Sequence, residues 1–419
     1  MAKMERFDIP GLTACIVRDD DIIWHGEYGK ADLELSLPMT EMTGFVIASI
    51  SKSYTATTAL QCVERGLLDL DTDVSSYLPF TVRHARHPSV PITLRQLLCH
   101  TSNIIDNAAA ILATARRGDP EISIRDFCWE YLVPGGIYYD DTLNFGSSRP
   151  GTHCRYSNVA VALAGLVVES VSDSFHLVTR DSLFLPLGMT RTAWYYRDFD
   201  STQMAMPYIC SGGQFIRCGH WSRATLPAGH LKSTALEMGR LIAAYLNWGT
   251  LDGFRMLDSA TVALMTTRHA NNYGLGWIRG NVAGRDCAYH NGMSSGTTTL
   301  HTFCRDEDVG TVVLCNVGGD SAMTALRGHI TRALYDHAQT VGVQEETAER
   351  GVTRSELRIP TVLRGPELAR LKVRVWDATG REVTKRRERL APGLYFVSEQ
   401  GSSSRGFAGS RVRKVVVQR

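Results

Sequence analysis

The stretch from residue 273 to residue 337 constrains the fold most. Four apolar runs rich in Val, Thr and aromatic residues follow one another with short polar turns between them, and a helical pattern closes the series at Ala322–His337. Runs of this length and composition predict β-strands, and such short turns are typical of antiparallel neighbours. The predicted strands are Tyr273–Ile278, Asp286–His290, Thr297–Phe303 and Val309–Val317.

Strand and helix signals elsewhere complete the prediction of fold class. The apolar runs Leu12–Val17 and Ile22–Gly26 are joined by four polar residues and predict a β-hairpin. Helical spacing of apolar residues predicts helices between the two strand regions, at Ile124–Tyr131, Ser157–Ser172 and Thr234–Trp248. The chain is therefore predicted to be α+β: an antiparallel sheet flanked by helices, plus a helical subdomain.

Length and charge predict more than one domain. The formal net charge of the 419 residues is +2, yet residues 350–419 alone hold 17 Lys+Arg and 6 Asp+Glu, so the preceding part is net acidic. We expect a first domain over residues 1–343, a polar linker over 344–356 and a small basic β-sandwich over 357–419. The sandwich strands are predicted near Leu371–Trp376, Gly393–Val397 and Lys414–Val417.

Metal and disulfide signals are weak. Most of the ten cysteines lie in apolar patterns that predict buried free thiols; only Cys210 and Cys218, which flank a Ser-Gly-Gly turn, are placed as a disulfide pair might require. His84 and His87 are metal ligands by type, but no third ligand follows at useful spacing, so a solvated loop is expected.

The first motif with chemical meaning is Ser49-Ile50-Ser51-Lys52, at the start of a predicted helix. Residues three apart share a helix face, so the Ser49 hydroxyl and the Lys52 amine should lie side by side, as a nucleophile beside a base. A helix N-terminus favours a forming alkoxide and a neutral lysine. An isolated S-x-x-K is usually part of an ordinary surface helix, so this motif depends on its partners.

Two later motifs are the candidate partners. Tyr156-Ser157-Asn158 opens the strongest helix; a tyrosine near a serine and a lysine can hold a lowered pKa and act as general base, and the asparagine amide can orient the lysine. His290-Asn291-Gly292 ends a predicted strand, where the glycine would let a substrate approach the backbone. Taken alone, the first of these motifs is more often a core tyrosine followed by a helix cap, and the second is more often an ordinary turn.

Taken in this order, Ser49-x-x-Lys52, Tyr156-x-Asn158 and His290-x-Gly292 resemble the active-site set of the serine β-lactamase and penicillin-binding-protein superfamily. The resemblance is to its class C-like branch, which includes esterases, D-aminopeptidases and D,D-carboxypeptidases. Roughly residues 8–340 are covered. It implies Ser49 as the acylated nucleophile and Lys52 with Tyr156 as a shared acid/base pair, without metal or cofactor.

The same resemblance implies the rest of the site. Asn158 becomes a polar clamp and His290 faces the leaving group or substrate tail. The backbone N–H groups of Ser49 and Met293 form the oxyanion hole, and Asn291 and Gly292 contact substrate. Where β-lactamases usually carry lysine this chain has His290, whose weaker, pH-dependent charge favours an esterase or peptidase over a β-lactamase.

Gly292-Met293-Ser294-Ser295-Gly296 also fits G-x-S-x-G, the nucleophile elbow of α/β-hydrolases. That elbow needs a helix after the serine, whereas Thr297–Phe303 predicts a strand. Ser294 is therefore expected not to be the nucleophile.

The basic tail is similar to the sorting domains of proteins exported by the type IX system. The matching residues are Asp377–Val383, Leu390–Tyr395 and Arg413–Val417. This implies export to the cell surface or medium, and secretion machinery as partner. No signal peptide is visible in residues 1–20 and no later run approaches a membrane span, so a start site placed too late, a trimmed sequence or a cytoplasmic protein are alternatives. A module that binds an anionic surface is the alternative for the tail.

The function expected from the sequence is a serine hydrolase that acts through an acyl-enzyme at Ser49 on small carboxylic esters or on D-amino-acid amides and peptides. The alternative enzymes are a β-lactamase and a D-alanyl-D-alanine carboxypeptidase. The alternative outside enzymes is a non-catalytic acyl-accepting sensor or binding protein. No nucleic-acid partner is expected.

Overall fold

A computed structural model describes residues 2–348, 362–364, 373–377, 393–399 and 413–418. Contacts divide the chain into two units, Met1–Glu346 and Thr347–Arg419. No single helix of the described residues is long and apolar enough to cross a membrane, and one bent pair, Asn158–Ser170 with Phe175–Phe184, passes that test together.

The strands of the first unit, in chain order, are β1 (Gly11–Arg18), β2 (Asp21–Asp32), β3 (Leu37–Pro38), β4 (Phe45–Val46), β5 (Arg116–Arg117), β6 (Tyr208–Ser211), β7 (Gln214–Arg217), β8 (Trp221–Ser222), β9 (Lys232–Ser233), β10 (Thr250–Leu251), β11 (Phe254–Arg255), β12 (Ile278–Val282), β13 (Arg285–Ser294), β14 (Thr297–Cys304), β15 (Val309–Cys315) and β16 (Val317–Gly318).

The α-helices are α1 (Ala2–Arg6), α2 (Ser51–Glu64), α3 (Leu94–Leu98), α4 (Ala108–Ala113), α5 (Ile124–Leu132), α6 (Asn158–Ser170), α7 (Phe175–Thr179), α8 (Leu226–Gly229), α9 (Ala235–Leu246), α10 (Ser259–Thr266), α11 (Asp320–Thr324) and α12 (Thr331–Ala348). Short 3-10 turns include Ala48–Ile50, and π-helical turns lie at Arg180–Phe184 and Ala325–Ile330.

The main sheet has seven strands in the order β12-β13-β14-β15-β1-β2-β3, and all its pairs are antiparallel. It joins the predicted hairpin to the predicted meander, because β1 pairs with β15, with Leu12 opposite Cys315. Successive β1 residues point to opposite cores: Cys15 packs with α9, and Ile16 packs with the closing helix. The predicted α+β class, an antiparallel sheet with helices, is confirmed.

Local sequence signals explain the helices that matter for the site. Helix α6 begins where Ser157 Oγ accepts a hydrogen bond from the N–H of Ala160, as a serine N-cap does. Helix α2 carries small and hydroxylated residues and is buried from Ser51 to Cys62, because it packs against α6 and α8. Buried hydroxyl groups of α2 form hydrogen bonds to backbone carbonyls of the same helix; Thr57 Oγ1, for instance, donates to the Ser53 carbonyl at 2.7 Å.

Several boundaries differ from the sequence prediction. Strand β12 begins at Ile278, because the segment before it makes a turn in which Gly276 has φ +74° and a β-carbon at this position would lie 2.4 Å from the Ala56 side chain. Helix α12 continues to Ala348, so the first residues of the predicted linker are helical. The π-helical turn at Ala325–Ile330 interrupts the predicted closing helix without ending it.

The second unit contains one four-stranded sheet in the order β17-β20-β19-β18 among its described residues. These strands are β17 (Val362–Arg364), β18 (Val373–Asp377), β19 (Gly393–Glu399) and β20 (Arg413–Gln418). Three of them match the predicted strands and β17 was not predicted. Residues 378–392, which hold much of the sorting-domain pattern, lie outside the described residues, so the sandwich and the sorting role stay predictions.

The prediction of buried free thiols was wrong for Cys287 and Cys304. Cys287 and Cys304 form a disulfide between β13 and β14, whereas Cys210 and Cys218 are free. Cys210 pairs with Phe215 across the β6–β7 hairpin, so Cys218 lies beyond its reach in the register. The hairpin itself was read correctly.

Candidate active site

Ser49 lies in a 3-10 turn that leads directly into α2. The segment before it is held from two sides: the Ile47 N–H donates to the Leu231 carbonyl, and the Ile47 carbonyl accepts from Thr299 Oγ1 at 2.8 Å. Ala48 has φ +50°, a left-handed conformation that costs a non-glycine residue free energy. This conformation turns the chain so that Ser49 is only partly buried while Lys52 is fully buried.

The Lys52 amine lies 3.2 Å from Ser49 Oγ. It also donates to Asn158 Oδ1 at 2.7 Å and to the Ala228 carbonyl at 2.6 Å. A charged amine has three hydrogens for these three oxygens. A neutral amine has two hydrogens and one lone pair, so when both carbonyl oxygens keep their bonds the lone pair faces Ser49 and can accept the serine proton.

Burial lowers the pKa of Lys52 to about 7, against a smaller rise caused by the negative charge of Asp106. The lysine side chain is 1% exposed, and taking an ammonium group out of water favours its neutral form. A substantial fraction of Lys52 is therefore neutral near pH 7, which is the state that a general base needs.

Tyr156 OH donates to Ser49 Oγ at 2.6 Å. Burial raises the pKa of this phenol well above its usual value, and the hydrogen bond to Ser49 offsets the rise only in part. The expectation of a lowered pKa at Tyr156 was therefore wrong, because desolvation outweighs the hydrogen bond to Ser49. A protonated Tyr156 can donate a hydrogen bond or a proton to an oxygen, but it is not the base of the resting site.

Asp106 is a site residue that the sequence analysis missed. Its carboxylate accepts hydrogen bonds from the backbone N–H groups of Asn158 and Val159, from Ser157 Oγ and from Asn158 Nδ2 at 2.7 Å. These bonds cap α6 with a negative charge and fix the Asn158 amide so that its oxygen faces Lys52. Asp106 is thus a positioning residue, and its distance of about fifty residues from the motif hid it.

Replacement of Asp106 by asparagine should change the pH profile of kcat as well as its size. Because the Asp106 charge raises the pKa of Lys52, its removal should lower that pKa, and the limb on which activity rises with pH should move to lower pH. We expect kcat to fall about tenfold or more as the Asn158 amide loses its fixed orientation. A pH series of kcat checks this; an unchanged midpoint would show that Asp106 has only a structural role.

His100 is a second contact of the motif. Its ring lies 4.6 Å from the Tyr156 ring, and its Nδ1 accepts the Ser157 N–H at 3.3 Å. Burial together with the Lys52 charge holds the pKa of His100 well below its usual range, so the ring stays neutral and supports Tyr156 by packing. The sequence analysis did not single out this residue.

His290 lies on an open edge of the sheet. Strand β13 pairs with β12 only as far as Tyr289, so the stretch from His290 to Ser294 is paired with β14 on one side, and the Ala48–Ile50 turn packs against β13. His290 is 2% exposed, and burial with the Lys52 charge lowers its pKa to about 3. The expected pH-dependent positive charge at position 290 is therefore absent at neutral pH, which corrects the sequence analysis.

The protonation of the His290 ring follows from its one bond. Nδ1 lies 2.8 Å from the Asn291 carbonyl, which can only accept, so Nδ1 carries the hydrogen. In the neutral ring Nε2 is then an acceptor, and it has no partner among the described residues. Position 290 thus carries a neutral imidazole with a buried acceptor nitrogen rather than a cation.

Gly292 is required by the approach of two backbone segments. A β-carbon there would lie 2.4 Å from the Ile47 carbonyl oxygen and 2.3 Å from Thr299 Oγ1. The glycine therefore lets the open edge of β13 lie against the chain that carries Ser49, rather than only against a substrate. Met293, half exposed, follows on the same edge.

Ser294 and the histidine pair lie apart from these groups. Ser294 ends β13, its Oγ is 2.6 Å from Thr297 Oγ1, and β14 follows it, so the strand–turn–helix of a nucleophile elbow is not formed. His84 is fully buried between the rings of His87 and Phe145, so the prediction of a solvated loop is wrong for His84, although Arg86 and Pro88 in the same loop are exposed. The described residues hold no cluster of three His, Cys, Asp or Glu side chains that could bind a metal.

The fold defines the class of the protein as the β-lactamase/transpeptidase type, an antiparallel sheet flanked by helices with a serine at the start of a buried helix. The chain belongs to the Beta-lactamase family, whose family model matches residues 2–335. It is 23% identical over 340 residues to Protein flp of Staphylococcus aureus strain N315, covering 80% of this chain and 65% of flp. It is 28% identical over 345 residues to penicillin-binding protein 4 of Amycolatopsis lactamdurans, covering 75% of this chain and 84% of that protein.

Two solved structures share the fold. D-amino acid amidase from Ochrobactrum anthropi SV3, in complex with L-phenylalanine amide, superposes with a TM-score of 0.62 at 20% identity, over 83% of this chain and 97% of the amidase. EstCE1, a hydrolase with promiscuous acyltransferase activity, superposes with a TM-score of 0.61 at 22% identity, over 76% of this chain and 92% of EstCE1.

Proposed function

We propose that this protein is a serine hydrolase that forms an acyl-enzyme at Ser49 and acts on small carboxylic esters or on D-amino-acid amides and peptides. The observation that carries the proposal is the pair of contacts at Ser49 Oγ: a Lys52 amine with a pKa near 7 at 3.2 Å, and a protonated Tyr156 hydroxyl at 2.6 Å. Membership of the Beta-lactamase family supports a serine hydrolase in general.

In the acylation step neutral Lys52 accepts the Ser49 proton while Oγ attacks the substrate carbonyl carbon. The Tyr156 hydroxyl donates to Oγ, which stabilises the charge that develops as the proton leaves. The N–H groups of Ser49 and Met293 are the proposed donors to the carbonyl oxygen as it becomes an oxyanion. Asn158 and the Ala228 carbonyl hold the lysine in place throughout.

Collapse of the tetrahedral intermediate breaks the bond to the leaving group and leaves the acyl group on Ser49. The proton held by Lys52 returns to the leaving oxygen or nitrogen, with the Tyr156 phenol as the relay that donates its own proton and recovers one from Lys52. In deacylation a water gives its proton to Lys52, attacks the acyl carbon, and Ser49 regains the proton as it leaves. Each proton that Lys52 accepts is thus passed on within the same half of the cycle, so the enzyme returns to its starting state.

A parallel rate screen tests the substrate class. We expect p-nitrophenyl butyrate or D-Ala-p-nitroanilide to be hydrolysed with far higher kcat/KM than nitrocefin, because position 290 carries a neutral imidazole where a β-lactamase needs a cation for the substrate carboxylate. Nitrocefin turnover equal to the best ester rate would favour the β-lactamase alternative instead. Stoichiometric acylation without turnover would favour the sensor.

The pH dependence of that preference is a second test of position 290. Both reactions share the titration of Lys52, so the ratio of the ester kcat/KM to the nitrocefin kcat/KM cancels it. Because the pKa of His290 is lowered to about 3, the ring is neutral at both pH 6 and pH 8, and the ratio should change less than about twofold. A histidine with its ordinary pKa would make the ratio rise several-fold over this interval.

A further inference from the structure

A cavity of about 260 Å³ lies at the Ser294 end of the open edge of β13. Its wall includes Val46, three residues before Ser49, together with Ser294 and Thr297. Thr297 Oγ1 donates to the Val46 carbonyl at 3.3 Å, so these residues form one continuous wall beside the chain that carries Ser49. The cavity and His290 therefore lie towards opposite ends of the stretch of β13 that is paired on one side only.

The opposite wall connects the cavity to the catalytic lysine. The Ala228 carbonyl accepts from Lys52 Nζ, and His230, two residues further along the chain, lines the cavity. Two residues span at most about 7 Å. The charges of Lys52 and of Arg223 both contribute, after burial itself and Lys232, to holding the pKa of His230 well below its usual range. A substrate bound at Ser49 is thus within reach of this cavity.

Arg223 is a partly buried arginine in the cavity wall, and within the described part of the chain it has no ion pair and no hydrogen bond. Other partly buried arginines are engaged: Arg285 lies 2.8 Å from Glu307, and Arg305 donates to Thr266 Oγ1 at 3.1 Å. Burial lowers the pKa of Arg223 without a carboxylate to oppose the shift. A partly buried guanidinium group without a carboxylate partner favours the binding of an anion, because its planar set of N–H donors matches the two oxygens of a carboxylate.

The surroundings of the cavity are partly basic and partly apolar; burial lowers the pKa of Lys232 to about 7, so near pH 7 this amine is charged in only part of the molecules. Lys232 Nζ lies 3.9 Å over the ring of Tyr196, which lines the cavity, and the nearby Asp119 carboxylate is occupied by the N–H groups of Tyr196 and Arg197. Two buried polar atoms, His230 Nδ1 and Tyr196 OH, have no partner among the described residues. The side chains of Leu112 and Trp221 supply apolar surface for a short hydrocarbon chain.

We propose that this cavity binds a carboxylate at the far end of the acyl group of the substrate, with Arg223 as its counter-ion. The preferred substrates would then be half-esters or half-amides of dicarboxylic acids. This inference rests on the proposed function, because it assigns the acyl chain to the Ser294 end of β13 and the leaving group to the His290 end. It places the cation for a substrate carboxylate at Arg223, not at position 290.

The test compares matched acyl groups on one leaving group. The 4-nitrophenyl half-esters of adipic and suberic acid carry a free carboxylate, and their methyl-capped counterparts are neutral and nearly the same length. We expect the unmodified protein to prefer the free carboxylate by about tenfold or more in kcat/KM. Arg223→Gln should remove that preference, whereas Arg223→Lys should keep part of it, since a lysine retains the charge but loses the fork.

Internal controls separate this inference from the proposed function. The neutral capped esters should be hydrolysed by Arg223→Gln within about twofold of the unmodified rate, which also shows that the variant is folded. Arg125→Gln, on the exposed face of α5, is the matched control for loss of one positive charge and should keep the preference. Hydrolysis of capped and free esters at equal rates by the unmodified protein would overturn the inference and leave the hydrolase intact; failure to hydrolyse any ester or amide would overturn the proposed function itself.

Discussion

Replacement of Ser49 by alanine is expected to abolish hydrolysis of every substrate, with kcat/KM reduced by several orders of magnitude. The hydroxyl is the atom to which both proton-transfer groups are directed, from Lys52 at 3.2 Å and from Tyr156 at 2.6 Å. Its loss removes the covalent route rather than weakening one contact, so no acyl-enzyme can form. Measurement of kcat/KM on a p-nitrophenyl ester gives the result directly.

Ser294→Ala is the matched control, because this serine also belongs to a motif that other hydrolases use. Its Oγ is engaged with Thr297 Oγ1 and its strand continues into a strand, so most of the activity should remain. Intact-mass measurement after treatment with a fluorophosphonate should show a single adduct, which peptide mapping should locate at Ser49. An adduct at Ser294, or full activity in Ser49→Ala, would contradict the assignment of the nucleophile.

The parts of the fold that depend on local pattern could be predicted from the sequence. The β1–β2 hairpin, the strands β13 to β15 and the helix α6 each follow from a periodicity or a cap that is visible within one segment. The pairing of β1 with β15 is not local, since Leu12 and Cys315 are about three hundred residues apart. An antiparallel sheet could be predicted from the sequence, but the pairing of β1 with β15 could not be predicted from either segment alone.

Long-range pairing also explains what was missed at the site. Asp106 lies in a segment without clear periodicity. Its role depends on the hydrogen bonds that it accepts from the first N–H groups of α6, which form only in the folded chain. The disulfide between Cys287 and Cys304 depends on the register of β13 against β14, which a sequence does not specify to one residue. Arg223 is distinctive because it has no carboxylate partner among the described residues, and such a feature exists only once the chain is folded.

The states of the titratable groups were the least predictable part. The spacing of the first motif predicted that Ser49 and Lys52 lie side by side, and the family resemblance implied that Tyr156 and Asn158 join them; hydrogen bonds connect the four side chains in the structure. Burial then decided their ionisation: the pKa of Lys52 falls to about 7, that of His290 falls to about 3, and that of Tyr156 rises. Desolvation depends on how completely the rest of the chain covers each group, and no local pattern gives that coverage.

Lys52 and Tyr156 are expected to act as one proton-transfer unit, so their mutational effects should not add. Lys52→Ala removes the base and Tyr156→Phe removes the donor to Ser49 Oγ, and each should lower kcat by about a hundredfold to ten-thousandfold. Once Lys52 is lost, no base takes the Ser49 proton and Tyr156 has no proton to recover, so the further loss of Tyr156 should cost little. The double variant should therefore be no worse than the worse single variant by more than about threefold, whereas independent contributions would multiply.

The pH profile shows which member of the unit is the base. A lysine whose pKa is about 7 acts only when neutral, so activity of the unmodified protein should rise with pH through that value and then level off. Tyr156→Phe should keep this rising limb at reduced height, because the phenol, with its raised pKa, does not titrate there. Lys52→Arg, which cannot deprotonate in this range, should lose the limb and be as inactive as Lys52→Ala despite keeping the charge. A limb that survives in Lys52→Arg but disappears in Tyr156→Phe would assign the base to Tyr156 and reverse the roles proposed for the pair.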